Sequence, residues 1–238
     1  MHALRHVSPL GHLRLAAVNI DGVLLNDTFS PVIHHFVTSR GGVYDADVER
    51  SVFSQSQTVA ARALGAAAGV DWSPRKVLDV YFEERAAYLA DHPLQVMPGA
   101  EELLHRLRGL GLRTICYGGL DKRHFDTYLG RYAHLFDGPG YICTNDFRPG
   151  IHEIAADTFG LDYDRALFID DVARVSEAAR DLRVPFIGHP SDFEHGFQAR
   201  LMRDAGVRHV VGSLGEIDEE LLRRLDAEAA VGRAWAAA

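Results

Sequence analysis

The polar residues best suited to chemistry follow the first apolar run of the chain. Residues 15–18 are all apolar, which predicts a buried strand, and Asp21-Gly22 marks the turn after it. Asn19 and Asp21 are two positions apart, so both side chains lie on the same side of an extended chain. Because ligands of open α/β sheets bind beyond the carboxyl ends of strands, this pair indicates a binding or catalytic site. Asp21 offers a carboxylate for acid–base chemistry, whereas Asn19 offers only a neutral amide.

Three later strand-like segments also lead into polar residues or glycines. These segments are 114–117, 141–143 and 166–169, and the groups after them are Gly118-Gly119, Arg148 and Asp170-Asp171. The carboxyl ends of parallel strands meet at one edge of a sheet, so we expect all of these groups to share one crevice. Glycine N–H groups and arginine bind anions, while carboxylates bind Mg²⁺.

The hydrophobic pattern indicates two kinds of region. After residue 97, helical and strand-like segments alternate, with further strands predicted at 184–187 and 209–211. This alternation predicts an α/β fold with a Rossmann-like parallel sheet and helices on both faces. Residues 25–96 are helical throughout: one helix begins near Ser30, a second continues on one face from Val48 to Gly65, and a third begins at Ser73-Pro74. We therefore assign 1–24 and 97–238 to a core domain and 25–96 to an inserted helical domain.

The remaining segments are assigned more simply. Residues 1–12 are predicted to be an extended lead-in, and the alanine-rich stretch 227–238 to be frayed or weakly docked. Further helices are expected at 103–110, 151–159, 172–182, 193–205 and 214–225.

The order and spacing of the polar groups resemble the four motifs of the haloacid dehalogenase-like (HAD) superfamily. Asn-Ile-Asp-Gly-Val at 19–23 is similar to the first motif, and Phe-Ile-Asp-Asp at 168–171 is similar to the fourth. The resemblance covers residues 13–225. The helical insert after the first motif resembles the C1-type cap of the phosphoglycolate phosphatase and β-phosphoglucomutase branch.

This resemblance implies a role for each residue. In the family, the first aspartate attacks phosphorus to form an aspartyl-phosphate, and the second protonates the leaving group and then activates water. Asn19 stands at the nucleophile position here, and Asp21 stands at the general acid/base position. Gly118 replaces a phosphate-binding Ser/Thr, and Arg148 replaces a charge-balancing lysine. The implied anion ligands are Gly118, Gly119 and Arg148, and the implied magnesium ligands are Asn19, Asp21, Asp170 and Asp171.

The amide at position 19 affects both the chemistry and the cation. An amide is a poor nucleophile, and losing one negative charge weakens the expected binding of Mg²⁺. The accompanying changes at Gly118 and Arg148 favour natural loss of the phosphatase mechanism over a single engineered substitution. Structural roles remain open as alternatives: a turn residue for Asp21, and an acidic pair at a helix N-terminus for Asp170-Asp171.

Within the insert, His34, His35 and Arg40 are candidate ligand contacts. The two imidazoles offer acid–base chemistry and Arg40 offers an anion clamp, although a solvated helix end explains all three equally. Residues 54–57 either line the inner face of the insert or form a polar helix surface. His189 lies within range of the crevice, with a role in its loop as the alternative.

Bulk properties exclude some classes of function. The net charge of −8 over 238 residues gives no support to nucleic-acid binding and disfavours an anionic membrane surface. Cys116 and Cys143 are too few and too far apart for a disulfide framework, so we expect two reduced core thiols. No apolar stretch approaches the length of a signal peptide or membrane span, which predicts a cytoplasmic protein.

Three functions are consistent with the sequence. The first is a HAD-fold protein that binds a small anionic or phosphorylated metabolite between core and cap, either without catalysis or with a different reaction through Asp21. The second is a Mg²⁺-dependent phosphohydrolase in which Asn19 is engineered or tolerated. The third is a structural or partner-binding subunit with a vestigial crevice. The sequence leaves the oligomeric state open.

Overall fold

A single parallel sheet forms the centre of the molecule. The computed structural model describes residues 8–235. Five strands pair in the order β3-β2-β1-β4-β5. They are β1 (Leu15–Asn19), β2 (Arg113–Gly118), β3 (Tyr141–Cys143), β4 (Ala166–Asp170) and β5 (Phe186–Gly188). The predicted α/β fold with a Rossmann-like sheet is confirmed.

The central strand β1 explains why its sequence is an unbroken apolar run. All five of its residues are buried. Leu15 and Ala17 pack into the core on one face of the sheet, and Ala16 and Val18 pack into the core on the other. A parallel strand covered by helices on both faces has no solvent-facing side, so it needs apolar residues at every position.

The strand register brings the predicted polar groups to one edge of the sheet. Asn19 pairs with Tyr117, Gly118 pairs with Cys143, and Asp170 pairs with Gly188. The carboxyl ends of β1, β2 and β4 therefore lie side by side, as the general rule for parallel sheets requires.

Nine α-helices occur within the described range, 8–235. Four of them lie between β1 and β2: α1 (Ser30–Thr38), α2 (Ala46–Val52), α3 (Gln57–Ala67) and α4 (Pro74–Asp91). The others are α5 (Ala100–Gly109), α6 (Lys122–Leu129), α7 (Ala173–Asp181), α8 (Gln198–Asp204) and α9 (Glu219–Ala230). The predicted helix at 151–159 is present, with a π-helical segment at Glu153–Thr158. None of the helices in this range has the length and apolar character needed to cross a membrane.

The chain enters and leaves the group α1–α4 through two adjacent segments. The Met97 N–H donates to the Leu24 carbonyl (2.9 Å), and the Asn26 N–H donates to the Gln95 carbonyl (3.0 Å). Leu25 and Val96 form an antiparallel bridge between these segments. The four helices are thus attached to the sheet by two adjacent segments that run antiparallel to each other, while the domain boundaries at 24/25 and 96/97 stay a prediction.

Several predicted elements differ from the structure. The helix expected from Val48 to Gly65 is two helices, α2 and α3, separated by a turn in which Ser54 has a left-handed φ of 53°. The strand expected at 209–211 is reduced to one bridge between Gly188 and Val210, because β5 is only three residues long. Helix α8 begins at Gln198 rather than near 193, and the helix expected at 214–225 is interrupted by Ile217 before α9.

Two expectations about single regions were also wrong. As far as Trp235, the last described residue, the C-terminal stretch is docked rather than frayed. The indole N–H of Trp235 donates to the Val184 carbonyl (2.9 Å), and its ring stacks on Phe186. Residues 1–7 and 236–238, which belong to the predicted lead-in and tail, lie outside the described residues. Cys116 is buried as expected, but Cys143 is exposed, because β3 lies at the edge of the sheet.

Candidate functional site

A cavity of about 150 Å³ lies between the carboxyl edge of the sheet and helices α1, α3 and α4. Five of the predicted site residues line it: Asn19, Asp21, Gly119, Arg148 and Asp171. Gly118 and Asp170 lie next to this group but do not line the cavity. The strand-end groups therefore lie together around one cavity, as the sequence predicts. The chemical roles of these residues stay predictions.

The side-chain amide of Asn19 forms the central contact of the site. Its Nδ2 donates to Oδ1 of Asp171 (2.8 Å) and to the backbone carbonyl of Asp21 (3.2 Å). Asn19 is buried, with 7% of its surface exposed. The turn after it brings Gly22 so close to Asp171 that a Cβ at position 22 would lie 2.2 Å from Oδ2 of Asp171. The hydrogen bond to Asp171 thus joins the end of β1 to the end of β4, and the hydrogen bond to Asp21 holds the turn after β1.

Asp170 is fully engaged within the protein. Its Oδ1 accepts the Val172 N–H (2.8 Å), and its Oδ2 accepts the hydroxyl of Tyr117. Burial raises the pKa of Asp170 to about 6. Burial, followed by the neighbouring charge of Asp170, raises the pKa of Asp171 well above its ordinary value. Two adjacent buried carboxylates therefore resist ionisation at this point of the fold.

The donor set does not fit Mg²⁺, which prefers octahedral oxygen coordination with carboxylate and water ligands. Among residues 8–235, no cluster of three or more His, Cys, Asp or Glu side chains is arranged to hold a metal ion. The Asp21 carbonyl and Asp171 Oδ1, two of the oxygens that a cation would need, already accept N–H bonds from Asn19. Both oxygens of Asp170 accept bonds from Tyr117 and Val172. The Asn19 amide thus donates hydrogen bonds to two of the other predicted magnesium ligands, Asp21 and Asp171.

Asp21 is paired with a histidine that the sequence analysis did not identify. Nε2 of His124, in α6, donates to Oδ1 of Asp21 (2.8 Å). The side chains of His124 and Asp21 are 8% and 13% exposed, so this pair is largely shielded from water. One signal in the sequence points to this residue, since His124 lies in the first turn of α6, the helix that follows β2. A lone histidine on a helix shows no spacing pattern, so the signal was too weak to be noticed.

Gly118, the last residue of β2, and Gly119 after it make room for different neighbours. A Cβ at Gly119 would lie 1.8 Å from Nη2 of Arg148, so the absence of a side chain lets the guanidinium lie against this segment. A Cβ at Gly118 would lie 2.4 Å from Cγ2 of Ile20. A hydroxyl-bearing side chain at position 118 therefore requires the buried Ile20 to move.

The three candidate residues of the insert, His34 and His35 in α1 and Arg40 just after it, do not line the cavity, which corrects that expectation. Helix α1 buries Val32, Ile33, Phe36 and Val37, and Ile33 is the residue of this helix that contributes to the cavity wall. His34 instead stacks on His195 (4.3 Å between ring centroids), and His35 is exposed. Arg40 pairs with Glu84 and lies over the ring of Phe36. For His34 the direction follows from helical periodicity, since the residue next to inward-facing Ile33 is turned away from it by about 100°.

The turn between α2 and α3 contributes the polar part of the cavity wall on the insert side. Ser54, Gln55 and Gln57 line the cavity. The N–H of Gln57 donates to the side-chain oxygen of Asn145 (3.0 Å), which joins α3 to the segment after β3. His189 is buried away from the cavity, where its Nδ1 donates to the Gly22 carbonyl (2.9 Å).

Two further cavity residues were not identified as functional from the sequence. Asp27 follows the first turn, and Tyr81 lies in α4; both line the cavity. In the sequence, Tyr81 fits the apolar face of a helix together with Val77 and Val80, and Asp27 is one of many acidic residues near a helix start. Only the packing of α4 against α1 shows that both point into one space.

Comparison of this chain with solved structures identifies its fold. β-Phosphoglucomutase from Clostridium difficile matches at a TM-score of 0.67 and 14% identity, covering 92% of this chain and 99% of that one. A family IA HAD hydrolase from Entamoeba histolytica matches at 0.66 and 15% identity, covering 90% and 100%. The chain has a HAD-like fold with a C1 cap. A HAD family hydrolase from Deinococcus radiodurans, with bound phosphate and sodium, matches at 0.59 and 20% identity, covering 95% and 99%.

The HAD-like fold confirms the resemblance that was based on four short motifs. At 14–20% identity these neighbours establish the fold alone. No family model and no curated protein matches the chain. The C1 cap corresponds to helices α1–α4, so the cavity lies between the cap and the core of this fold.

The raised pKa of Asp170 predicts how stability changes with pH. Because the pKa rises from about 3.9 when unfolded to about 6 when folded, its favourable contribution is complete below about pH 4 and is lost as the pH rises through 6. Asp170→Asn removes the titrating carboxyl and with it this pH-dependent loss of stability. The Asn side chain still offers an oxygen that accepts the Val172 N–H. Relative to the original protein, its free energy of unfolding should rise from pH 4 to pH 7 by on the order of 3 kcal/mol.

Urea denaturation at several pH values measures this difference. Asp91→Asn, at an exposed position, serves as the matched control and should show no such trend. A constant difference between Asp170→Asn and the original protein across this range would contradict a raised pKa of Asp170 in the folded protein.

Proposed function

We propose that this HAD-fold protein binds a small anionic ligand between core and cap, and that it does not form an aspartyl-phosphate. One observation carries the proposal: the Asn19 amide donates to Asp171 and to the Asp21 carbonyl, in the space where the family's chemistry requires a nucleophile and a cation. An amide nitrogen whose lone pair is delocalised and whose N–H bonds are engaged does not attack phosphorus. The position is therefore used to hold the site together.

Arg148 supports the anionic character of the ligand. Among the described residues, 8–235, it is the single basic side chain that lines the cavity. The other charged residues of the lining are Asp21, Asp27 and Asp171. Its Nε is buried without a hydrogen-bond partner in the described part of the chain. A guanidinium with a free N–H edge binds a carboxylate or phosphate oxygen well. One guanidinium among three carboxylates suits a ligand with one anionic group rather than several.

Asp21 supports a catalytic form of the same proposal. His124 fixes the orientation of Asp21 through one oxygen, while the residue lines the cavity. A shielded carboxylate held by an imidazole is suited to transfer a proton to or from a bound ligand. A reaction other than phosphoryl transfer through an aspartate would therefore depend on Asp21.

The alternative of a vestigial crevice is less well supported. It requires an occluded crevice and a large apolar surface for a partner. A cavity of about 150 Å³ remains open to a small ligand. The large hydrophobic residues exposed in the described region are Val43, Val59 and Val231, which are scattered along the sequence.

Restoring the carboxylate at position 19 tests the chemical half of the proposal. Asn19→Asp removes both N–H bonds and returns a nucleophile, but Gly118 and Arg148 still depart from the family pattern. We expect neither the original protein nor the variant to hydrolyse p-nitrophenyl phosphate in the presence of Mg²⁺ above the background rate. Brisk Mg²⁺-dependent turnover by Asn19→Asp would instead support a phosphohydrolase whose nucleophile had been replaced.

Removing the guanidinium tests the binding half. Arg148→Gln should weaken the binding of inorganic phosphate by about 10- to 100-fold, since a charge-assisted hydrogen bond contributes about 1.5–3 kcal/mol. Isothermal titration calorimetry gives the affinities. Arg75→Gln, on the exposed face of α4, is the control and should bind phosphate like the original protein. Equal affinities for Arg148→Gln and Arg75→Gln would rule out Arg148 as the anion ligand.

A further inference from the structure

Unpaired buried polar atoms concentrate at the cavity. Within residues 8–235, six buried side-chain atoms have no hydrogen-bond partner. Four of them belong to residues that line this one cavity: Asp27 Oδ2, Ser54 Oγ, Tyr81 OH and Arg148 Nε. Buried polar groups are almost always paired in native proteins, so such a concentration indicates that a bound molecule supplies the missing partners.

Among these groups, the carboxylate of Asp27 has the greatest need of a hydrogen-bond partner. Its Oδ1 accepts the N–H groups of Phe29 (2.8 Å) and Ser30 (3.0 Å), which fixes the carboxylate at the start of α1. Its Oδ2 is left buried and unpaired among the described residues. An ionised carboxylate only accepts hydrogen bonds, so the molecule that satisfies Oδ2 must present a donor.

Tyr81 is placed to assist in the same recognition. It lies in α4 with 5% of its surface exposed, and its hydroxyl has no partner within the described chain. Burial raises the pKa of Tyr81, and the charge of Asp27 adds to the effect while that of Arg85 opposes it, so the hydroxyl stays protonated. A neutral phenol both donates and accepts, which suits a ligand hydroxyl or amine that already donates to Asp27.

The walls between these polar groups and Arg148 are apolar. Phe29, Ile33, Leu64, Leu78 and Phe82 form much of the surface, from α1, α3, α4 and the segment before α1. An apolar cavity of about 150 Å³ holds a molecule about as large as benzene. A sugar-like body would leave its hydroxyl groups unpaired against such walls.

We propose that the ligand carries one anionic group for Arg148, an apolar body about the size of a benzene ring, and a hydroxyl or amine donor directed at Asp27 and Tyr81. This inference rests on the proposed function, since it specifies the chemistry of the ligand bound between core and cap. Asp27 and Tyr81 act as specificity residues, because they reject a ligand that has the same shape but lacks the donor.

A matched panel of aromatic carboxylates tests the inference on the full chain. Benzoate, phenylacetate and 3-phenylpropionate are each compared with their 4-hydroxy and 4-aminomethyl counterparts by calorimetry, with inorganic phosphate as the anion alone. At least one substituted compound should bind about 10-fold or more tightly than its parent, as expected for a hydrogen bond to a charged group. Asp27→Asn retains the acceptor for α1 but replaces Oδ2 with an N–H₂ group, and should abolish this preference. Asp71→Asn, at an exposed position of the cap, should keep it.

A second variant separates recognition from structure. Tyr81→Phe removes an unpaired hydroxyl, so it should weaken binding of the preferred probe several-fold without lowering the thermal midpoint of the unliganded protein. Tyr117→Phe removes a hydroxyl that donates to Asp170, and should lower that midpoint. If Tyr81→Phe lowers the midpoint as much as Tyr117→Phe and leaves the probe preference unchanged, Tyr81 is structural and the inference fails.

The outcomes also distinguish this inference from the proposed function. Equal affinity for substituted and parent compounds overturns the inference, as does binding of phosphate without binding of any aromatic probe; both leave the proposed anion site standing. Failure of every probe, phosphate included, contradicts the proposed function itself.

Discussion

The hydrogen bonds of the Asn19 amide are the constraint on which the site depends. They join the end of β1 to the carboxylate after β4 and to the turn at Asp21. In a protein with an aspartate at position 19, three oxygens would face one another here and would need a cation to hold them together. The amide removes that need, because it brings its own hydrogen-bond donors. Under the proposed function, the amide stands at the nucleophile position and holds these segments together without a metal ion.

The rest of the site is consistent with this change. Asp170 has turned both of its oxygens to Tyr117 and Val172, and Gly118 leaves Ile20 in the space a side chain would need. The cavity beside them contains one guanidinium, that of Arg148, and the cap supplies apolar walls and unpaired acceptors. These features suit the proposed ligand, because a cavity with one basic side chain and largely apolar walls can hold a mostly apolar molecule with one anionic group.

Local sequence patterns predicted the fold and the positions of the strand-end residues, because strand periodicity and turn residues determine where Asn19, Asp21 and Asp170 lie. They could not predict which residues of the cap face the cavity. His34 looked suitable by type, but α1 turns Ile33 inward, so His34 points elsewhere, and Arg40 pairs with Glu84 instead. His124 and Tyr81 lie on helices whose facing surface is set by tertiary packing, a relation between distant segments that no single stretch of sequence records.

The most direct test of the central claim is the NMR signal of the Asn19 side-chain N–H₂ group in isotope-labelled protein, followed during titration with Mg²⁺. Asn19→Asp identifies the signal by its loss. If the amide replaces the cation, its two protons should exchange slowly with water, and millimolar Mg²⁺ should leave their chemical shifts unchanged. Rapid exchange, or a saturable shift of these protons on addition of Mg²⁺, would show that the amide yields its place to a metal ion and would contradict the account.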